Sequence, residues 1–193
     1  MKARLVGARA ARYHPALVTL HWLLAALIVA SLASGAFWLA AMPNADPRKV
    51  DILRLHMSAG MLIFGLMAVR FAVRMLTARP ARATTGRPGL DRIATLTHYG
   101  FYVLVLLMVA SGYATGIFAG LPAIVFGGSG DPLPPSFATY PTFTAHRALA
   151  IALAALIALH ALAALWHHVG RRDGLLRRMW FGRRGSRAPA PAE

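Results

Sequence analysis

Eight histidines are distributed along a chain of 193 residues, 58% of which are hydrophobic. A histidine side chain can bind a metal ion through a neutral ring nitrogen, and it can exchange a proton near neutral pH. Apart from His167 and His168 at the end of the last stretch, five of the eight lie inside long apolar stretches, where ionisable side chains are costly and usually serve a function. These five are His21, His56, His98, His146 and His160.

The clearest spacing joins His146 and His160, which begin and end the run HRALAIALAALIALH. On a helix, 14 residues separate the two rings by about 21 Å and leave them within about 40° of the same face. A bilayer core of about 30 Å accommodates both rings. A single helix face would therefore present an imidazole at each of two depths.

Four apolar blocks are long enough to position these residues in a membrane, since a spanning helix needs about 20 residues. Their hydrophobicity is continuous rather than alternating, which predicts helices rather than strands. The fold class is therefore an all-α membrane protein, a bundle of four transmembrane helices. The helices are expected at about residues 16–42, 55–76, 93–119 and 143–170.

The basic residues predict the orientation of this bundle. Of the 21 Lys and Arg residues, 17 lie in the N-terminal tail, around the second connection and in the C-terminal tail. Both termini should therefore be cytoplasmic. The basic start and the first apolar block resemble a signal peptide, but the block exceeds the usual apolar length of about 7–15 residues. We therefore interpret it as the first helix.

The positions of the helices also predict the domain organisation of the chain. Residues 1–182 are expected to form one transmembrane domain, and residues 183–193 a disordered cytoplasmic tail. The connection 120–142 has one charged residue and five prolines, so we expect it to fold over the outer end of the bundle.

Charge and composition exclude other classes of protein. A net charge of +15 would suit nucleic acid, but the basic residues flank apolar blocks and should face lipid. The absence of cysteine excludes thiolate metal sites and iron–sulfur clusters.

The alternating directions of the helices place the five histidines in two layers. His56 and His146 fall near the outer ends of their helices and form the outer layer. His21, His98 and His160 form the inner layer. Two neutral imidazoles on different helices suit the axial positions of a haem iron, with the porphyrin in the apolar gap between the helices.

Short motifs around these histidines resemble those of the bacterial cytochrome b561 family, the four-helix dihaem membrane cytochromes. The resemblance covers about residues 12–182. The motifs are His-Trp at 21–22, Arg-Leu-His-Met-Ser-Ala-Gly at 54–60, Thr-His-Tyr-Gly at 97–100, and the His-x13-His run followed by Trp-His-His at 166–168.

The resemblance implies two haem b groups. It assigns His56 and His146 to the outer haem, and His21 and His160 to the inner one. His98 is the competitor for the inner site. Family members often carry an acidic residue after the first histidine of the fourth helix, where this chain has arginine.

The resemblance also implies electron transfer in the bacterial inner membrane, to or from quinone, with superoxide or a redox protein as the other partner. An oxidoreductase of the superoxide:quinone type is thus one interpretation. His167 and His168 are candidate proton donors to the quinone. Arg70 and Arg74, and Arg54 at the outer end, are candidate contacts of the haem propionates.

Three other classes compete with this interpretation. One is a cytochrome b subunit that anchors a dehydrogenase and has no catalytic role. Another is a metal or proton transporter that uses histidines as relay sites, which would bind no haem. The third is a membrane di-iron oxygenase, which is disfavoured because it needs clustered ligands, and only residues 167–168 form a His-His pair.

Overall fold

The computed structural model describes residues 12–78, 80–81 and 86–182, and these residues contain helices but no strand. The long helices are α1 (Pro15–Ala33), α2 (Arg48–Leu76), α3 (Pro88–Phe118) and α4 (Pro141–Trp166), and a short α5 (Leu175–Arg178) follows them. Four helical segments are long and apolar enough to cross a membrane. The prediction of an all-α bundle with four transmembrane helices is confirmed, while the orientation of the termini stays a prediction.

Local sequence explains where the helices begin. Proline occupies the first turn of α1, α3 and α4, where its missing N–H is not needed. Both α2 and α3 extend outside the apolar blocks, and each carries an aspartate, Asp51 or Asp91, in its first turn. An acidic group there favours the positive end of the helix dipole. Hydropathy alone does not detect such polar first turns.

Two helices continue as π-helix at one end. The segment Ser34–Leu39 extends α1, and His167–Arg171 extends α4. After the second segment, Arg172 and Gly174 adopt left-handed conformations with φ of 51° and 72°. These two residues reverse the direction of the chain and place α5 beside the end of α4.

The two ends of the bundle differ. We call the end that holds the connections 40–47 and 119–140 the loop end. There Leu53 of α2 packs in a buried cluster with Val125 and Phe137 of the longer connection, and Asn44 donates a hydrogen bond to the Pro134 carbonyl at 2.6 Å. The prediction that this connection folds over the end of the bundle is confirmed.

We call the opposite end, where the described chain begins and finishes, the terminal end. The segment 175–182 folds back across α1 there. Trp22 donates its indole N–H to the Met179 carbonyl at 2.8 Å, and the Tyr13 N–H donates to the Arg178 carbonyl at 3.2 Å. The predicted disordered tail, residues 183–193, lies outside the described residues, as do residues 1–11, 79 and 82–85.

A second buried cluster lies in the middle of the bundle, formed by Leu24, Ile63, Val105 and Leu153. Each of the four long helices contributes one of these residues. Many large apolar side chains on the outer surface are exposed instead. Such a surface suits contact with lipid, since lipid tails are as apolar as these side chains.

Candidate haem-binding sites

The bundle brings the predicted histidines together in two pairs. The ring centroids of His56 on α2 and His146 on α4 lie 6.3 Å apart, with an angle of 77° between the ring planes. The rings of His21 on α1 and His160 on α4 are also 6.3 Å apart, with an angle of 73°. Helix α4 therefore contributes one ring to the pair near the loop end and one to the pair near the terminal end.

This separation fits two imidazoles on opposite sides of one metal ion. A metal–nitrogen distance of about 2.0 Å on each side, with roughly 1 Å from each nitrogen to its ring centroid, gives about 6 Å. No group of three or more His, Asp or Glu side chains among the described residues could hold a metal ion. Haem iron needs only two axial ligands from the protein, because the porphyrin supplies the others. The donor set thus fits haem and disfavours a di-iron centre within the described chain.

The His56 ring is held by Ser34, the first residue of the π-helical extension of α1. Its Nδ1 lies 2.8 Å from the Ser34 hydroxyl oxygen, and the same hydroxyl lies 2.8 Å from the Ser31 carbonyl. The carbonyl can only accept, so Ser34 donates its one proton there and accepts from the Nδ1–H of His56. The remaining nitrogen, Nε2, then carries a lone pair, as a metal ligand requires.

The His146 ring has an equivalent arrangement on its own side. Its Nδ1 donates to the Met108 carbonyl at 3.0 Å, and Ser111 contributes its hydroxyl at 3.2 Å. A Cβ atom added at Gly112 would lie 3.0 Å from Cε1 of this ring, so the ring depends on glycine at that position. Second-shell contacts of this kind fix the tautomer and orientation of metal-bound histidines.

A cavity of about 350 Å³ adjoins His56 between α1 and α2. Small side chains, among them Ala30 and Ala59, line it together with apolar ones. The hydroxyl of Ser31, which also lines it, has no hydrogen-bond partner among the described residues although it is buried. Open apolar space beside His56 would accommodate the edge of a porphyrin.

The pair near the terminal end has a third histidine as neighbour. The ring of His160 lies 5.7 Å from that of His98 and 5.3 Å from that of Phe101. His98 is exposed, and its Nδ1 donates to the Ala94 carbonyl at 2.6 Å, whereas His21 and His160 are half-buried. The structure thus places His98 at the edge of the site, next to the predicted pair.

The three candidate arginines lie at different places. Arg70, near the terminal end, donates to the Leu17 carbonyl at 2.8 Å and lies near His21 and Tyr102. The Tyr102 hydroxyl is buried beside the Arg70 guanidinium. Arg74 lies one helical turn beyond Arg70. Near the loop end, Arg54 donates to the Val125 carbonyl and to Asp51, both at 2.8 Å.

The two candidate proton donors, His167 and His168, have different contacts. His167 donates from Nδ1 to a carboxylate oxygen of Asp173 at 2.5 Å. Burial alone would raise the pKa of Asp173, but hydrogen bonds from His167 and the Leu175 N–H, with the charges of His167 and Arg171, together lower it. His168 takes no part in this contact and lines a neighbouring pocket instead. Sequence reasoning missed Asp173, and the available signal was its position as the one acidic residue in the basic segment that follows 167–168.

Four apolar helices that bring imidazoles together in two pairs have the architecture of a membrane cytochrome of the b type. Residues 12–182 match the family described as prokaryotic cytochrome b561. The chain belongs to this family, which confirms the resemblance predicted from the motifs.

Three curated relatives are similar over most of their length. Cytochrome b561 homolog 2 of Escherichia coli K12 is 28% identical over 171 residues, which are 87% of this chain and 90% of the relative. The probable superoxide oxidase CybB of Yersinia pestis is 28% identical over 177 residues, 87% and 95% of the two chains. Cytochrome b562 of Cereibacter sphaeroides is 31% identical over 166 residues, 84% and 90% of the two chains.

Family membership establishes the general nature of the protein. It is a multi-pass membrane protein and a haem-binding electron-transport cytochrome, and the family implies haem b as its cofactor. The transporter and di-iron interpretations of the sequence are disfavoured accordingly.

Proposed function

We propose that this protein is a dihaem cytochrome of the bacterial inner membrane that transfers electrons to or from quinone. The observation that carries the proposal is the equal separation of the pairs His56–His146 and His21–His160, both of which include α4. Each pair would supply the two protein ligands of one haem. The excess of basic residues near the terminal end supports an orientation in which that end, and therefore the second pair, lies at the cytoplasmic leaflet.

In this proposal the protein fixes two redox centres at set depths. Haem b, when bound, supplies an iron that takes up and releases one electron at a time. Ser34 and the Met108 carbonyl hold the rings of His56 and His146 with Nε2 directed away from the hydrogen bond. Leu153, only 3% exposed and midway between the two histidines of α4, packs with Leu24, Ile63 and Val105 and makes the space between the pairs apolar.

Quinone reduction takes up protons together with electrons, so a proton donor is needed beside the inner site. His167 lies seven residues beyond His160, which on a helix means about 10 Å further and nearly the same face. Because Asp173 holds the proton on Nδ1 of His167, Nε2 is the atom that can exchange a proton with a bound quinone. We therefore assign the donor role to His167 rather than His168.

Replacement of Asp173 by asparagine should slow quinone reduction by roughly tenfold to a hundredfold, because His167 loses the carboxylate that orients it. The depressed pKa of Asp173 means that the carboxylate contact is present above its usual pKa of about 4 and is lost only below that pH. The loss of rate should therefore be similar at every pH above about 5. The measurement is ubiquinone reduction by the chemically reduced protein as a function of pH.

The matched control for this experiment is Asp131→Asn, an exposed aspartate on the loop-end connection. It removes the same charge far from His167 and should leave the rate at the wild-type value. Unchanged kinetics in Asp173→Asn, with full haem content, would show that the pair does not serve proton transfer.

Superoxide is a second candidate partner, as electron donor at the loop end. One relative is described as a probable superoxide oxidase. At this end Arg48 pairs with Asp46 at 2.7 Å and Arg54 with Asp51 at 2.8 Å. Arg147, which follows His146 directly, is exposed and has no ion-pair partner among the described residues. An uncompensated charge beside a redox site attracts small anions.

Arg147→Gln should lower the rate of reduction by superoxide about threefold at low ionic strength, and the difference should vanish at high salt. Stopped-flow absorption of the haem bands would measure this rate. Arg147→Lys keeps the charge and should behave like the wild type. Equal rates for all three proteins at low salt would show that Arg147 does not attract the electron donor.

A further inference from the structure

A pocket at the terminal end lies outside the haem sites. It has a volume of about 300 Å³ and is lined by His168, Arg172, Gly174 and Arg177. The left-handed conformations of Arg172 and Gly174 bring α5 back against the π-helical segment 167–171. Two arginines separated by a reversal of the chain, one before α5 and one within it, therefore face the same space.

The charges in this pocket are not balanced by the protein. The one acidic residue of the segment 167–182 is Asp173, which interacts with His167 and Arg171 and does not line the pocket. In the described part of the chain, the guanidinium groups of Arg172 and Arg177 have no hydrogen bond or ion pair. Two permanent positive charges in one pocket repel each other, and an anion bound between them offsets this repulsion.

The chemistry of the lining indicates which anion would fit. Guanidinium groups bind phosphate through paired N–H donors in a fixed planar arrangement. The pocket begins where the membrane-spanning segment Pro141–Arg171 ends, which is the depth of lipid headgroups. Trp166 and Trp180 are exposed near it, at 67% and 54%, and tryptophan is enriched at that interface. Basic pockets at the cytoplasmic surface of membrane proteins bind anionic headgroups.

We infer that this pocket binds a phosphate group, presented either by an anionic phospholipid or by free phosphate. Arg172 and Arg177 hold the phosphate oxygens, and His168 adds a ring N–H. The site anchors the end of α4 and α5 at the membrane surface.

The lipid arm of the test uses the purified, haem-loaded protein in detergent and native mass spectrometry with added phosphatidylglycerol, cardiolipin or phosphatidylcholine. The wild type should retain the two anionic lipids and not phosphatidylcholine. Arg172→Asn, which suits a left-handed position, and Arg177→Gln should each weaken retention about fivefold, the effect expected for one cation at an anionic surface. Arg92→Gln removes an exposed arginine at the same end outside the pocket and should bind lipid like the wild type.

The free-phosphate arm titrates inorganic phosphate and follows tryptophan fluorescence and displacement of phosphatidylglycerol. Displacement at millimolar phosphate in the wild type, weakened in Arg177→Gln, would assign the site to free phosphate as well. Binding of lipid alone would assign it to the headgroup. Arg177→Lys keeps a cation and should recover most of the binding, which separates loss of charge from misfolding. The inference is overturned if both pocket variants bind anionic lipid and phosphate as tightly as the wild type and Arg92→Gln.

Discussion

Alanine in place of His146 should give a protein that still inserts into the membrane but retains a single haem b. His146 supplies Nε2 to the pair near the loop end, and no other described histidine ring except His56 is in contact with it. Without this ring the haem near the loop end would lose one of its two protein ligands and its attachment to α4. We expect about half of the wild-type haem, measured as haem per protein, and loss of one low-spin signal in the EPR spectrum.

The same signal should disappear in His56→Ala, because both residues belong to one pair. Identical spectra for the two variants are a stricter test than loss of haem alone. A suitable control is His14→Ser, since His14 lies before α1 and its side chain accepts a hydrogen bond from the Ala16 N–H, a capping contact that serine can also make. This variant should keep both haems. Retention of both haems in His146→Ala, or loss of different haems in the two variants, would refute the pairing.

The helices and the two layers of histidines could be predicted because they depend on short stretches of sequence. Continuous apolar blocks are properties of short stretches, and they predicted the four helices. The 3.6-residue period placed His146 and His160 on one face of α4, and the depth of each residue along its helix separated two layers of histidines. Depth alone left His98 beside His21, because both lie at a similar level; the family motifs were needed to choose between them.

The remaining features depend on how the helices are rotated against each other. The contacts of His56 with Ser34 and of His146 with the Met108 carbonyl join residues far apart in sequence, and a backbone carbonyl leaves no signature in the residue types. Gly112 beside His146 reads in the sequence as one small residue among many. The return of the chain that pairs Asp173 with His167 requires left-handed backbone at Arg172, a position where the sequence has no glycine.

Substitutions in the pair near the terminal end should also cause loss of a haem, and there His160 has two histidine neighbours. The separation of His21 from His160, 6.3 Å, equals that of the other pair, whereas His98 lies closer, at 5.7 Å. His98 is exposed, and His21 is half-buried near Arg70. A haem in the interior of the bundle would be held by histidines that are buried there, and both the matching separation and the burial favour His21.

His21→Ala and His160→Ala should therefore lose the same haem, about half of the wild-type content, and keep the EPR signal of the His56–His146 haem. His98→Ala should keep both haems, because removal of this ring changes only the surroundings of His160. We expect His98→Ala to cause only a small shift in the absorption band or redox potential of one haem, measured by a spectroscopic redox titration. If His98→Ala loses a haem while His21→Ala keeps two, His98 is the ligand, and the inner haem is held between α3 and α4 instead of α1 and α4.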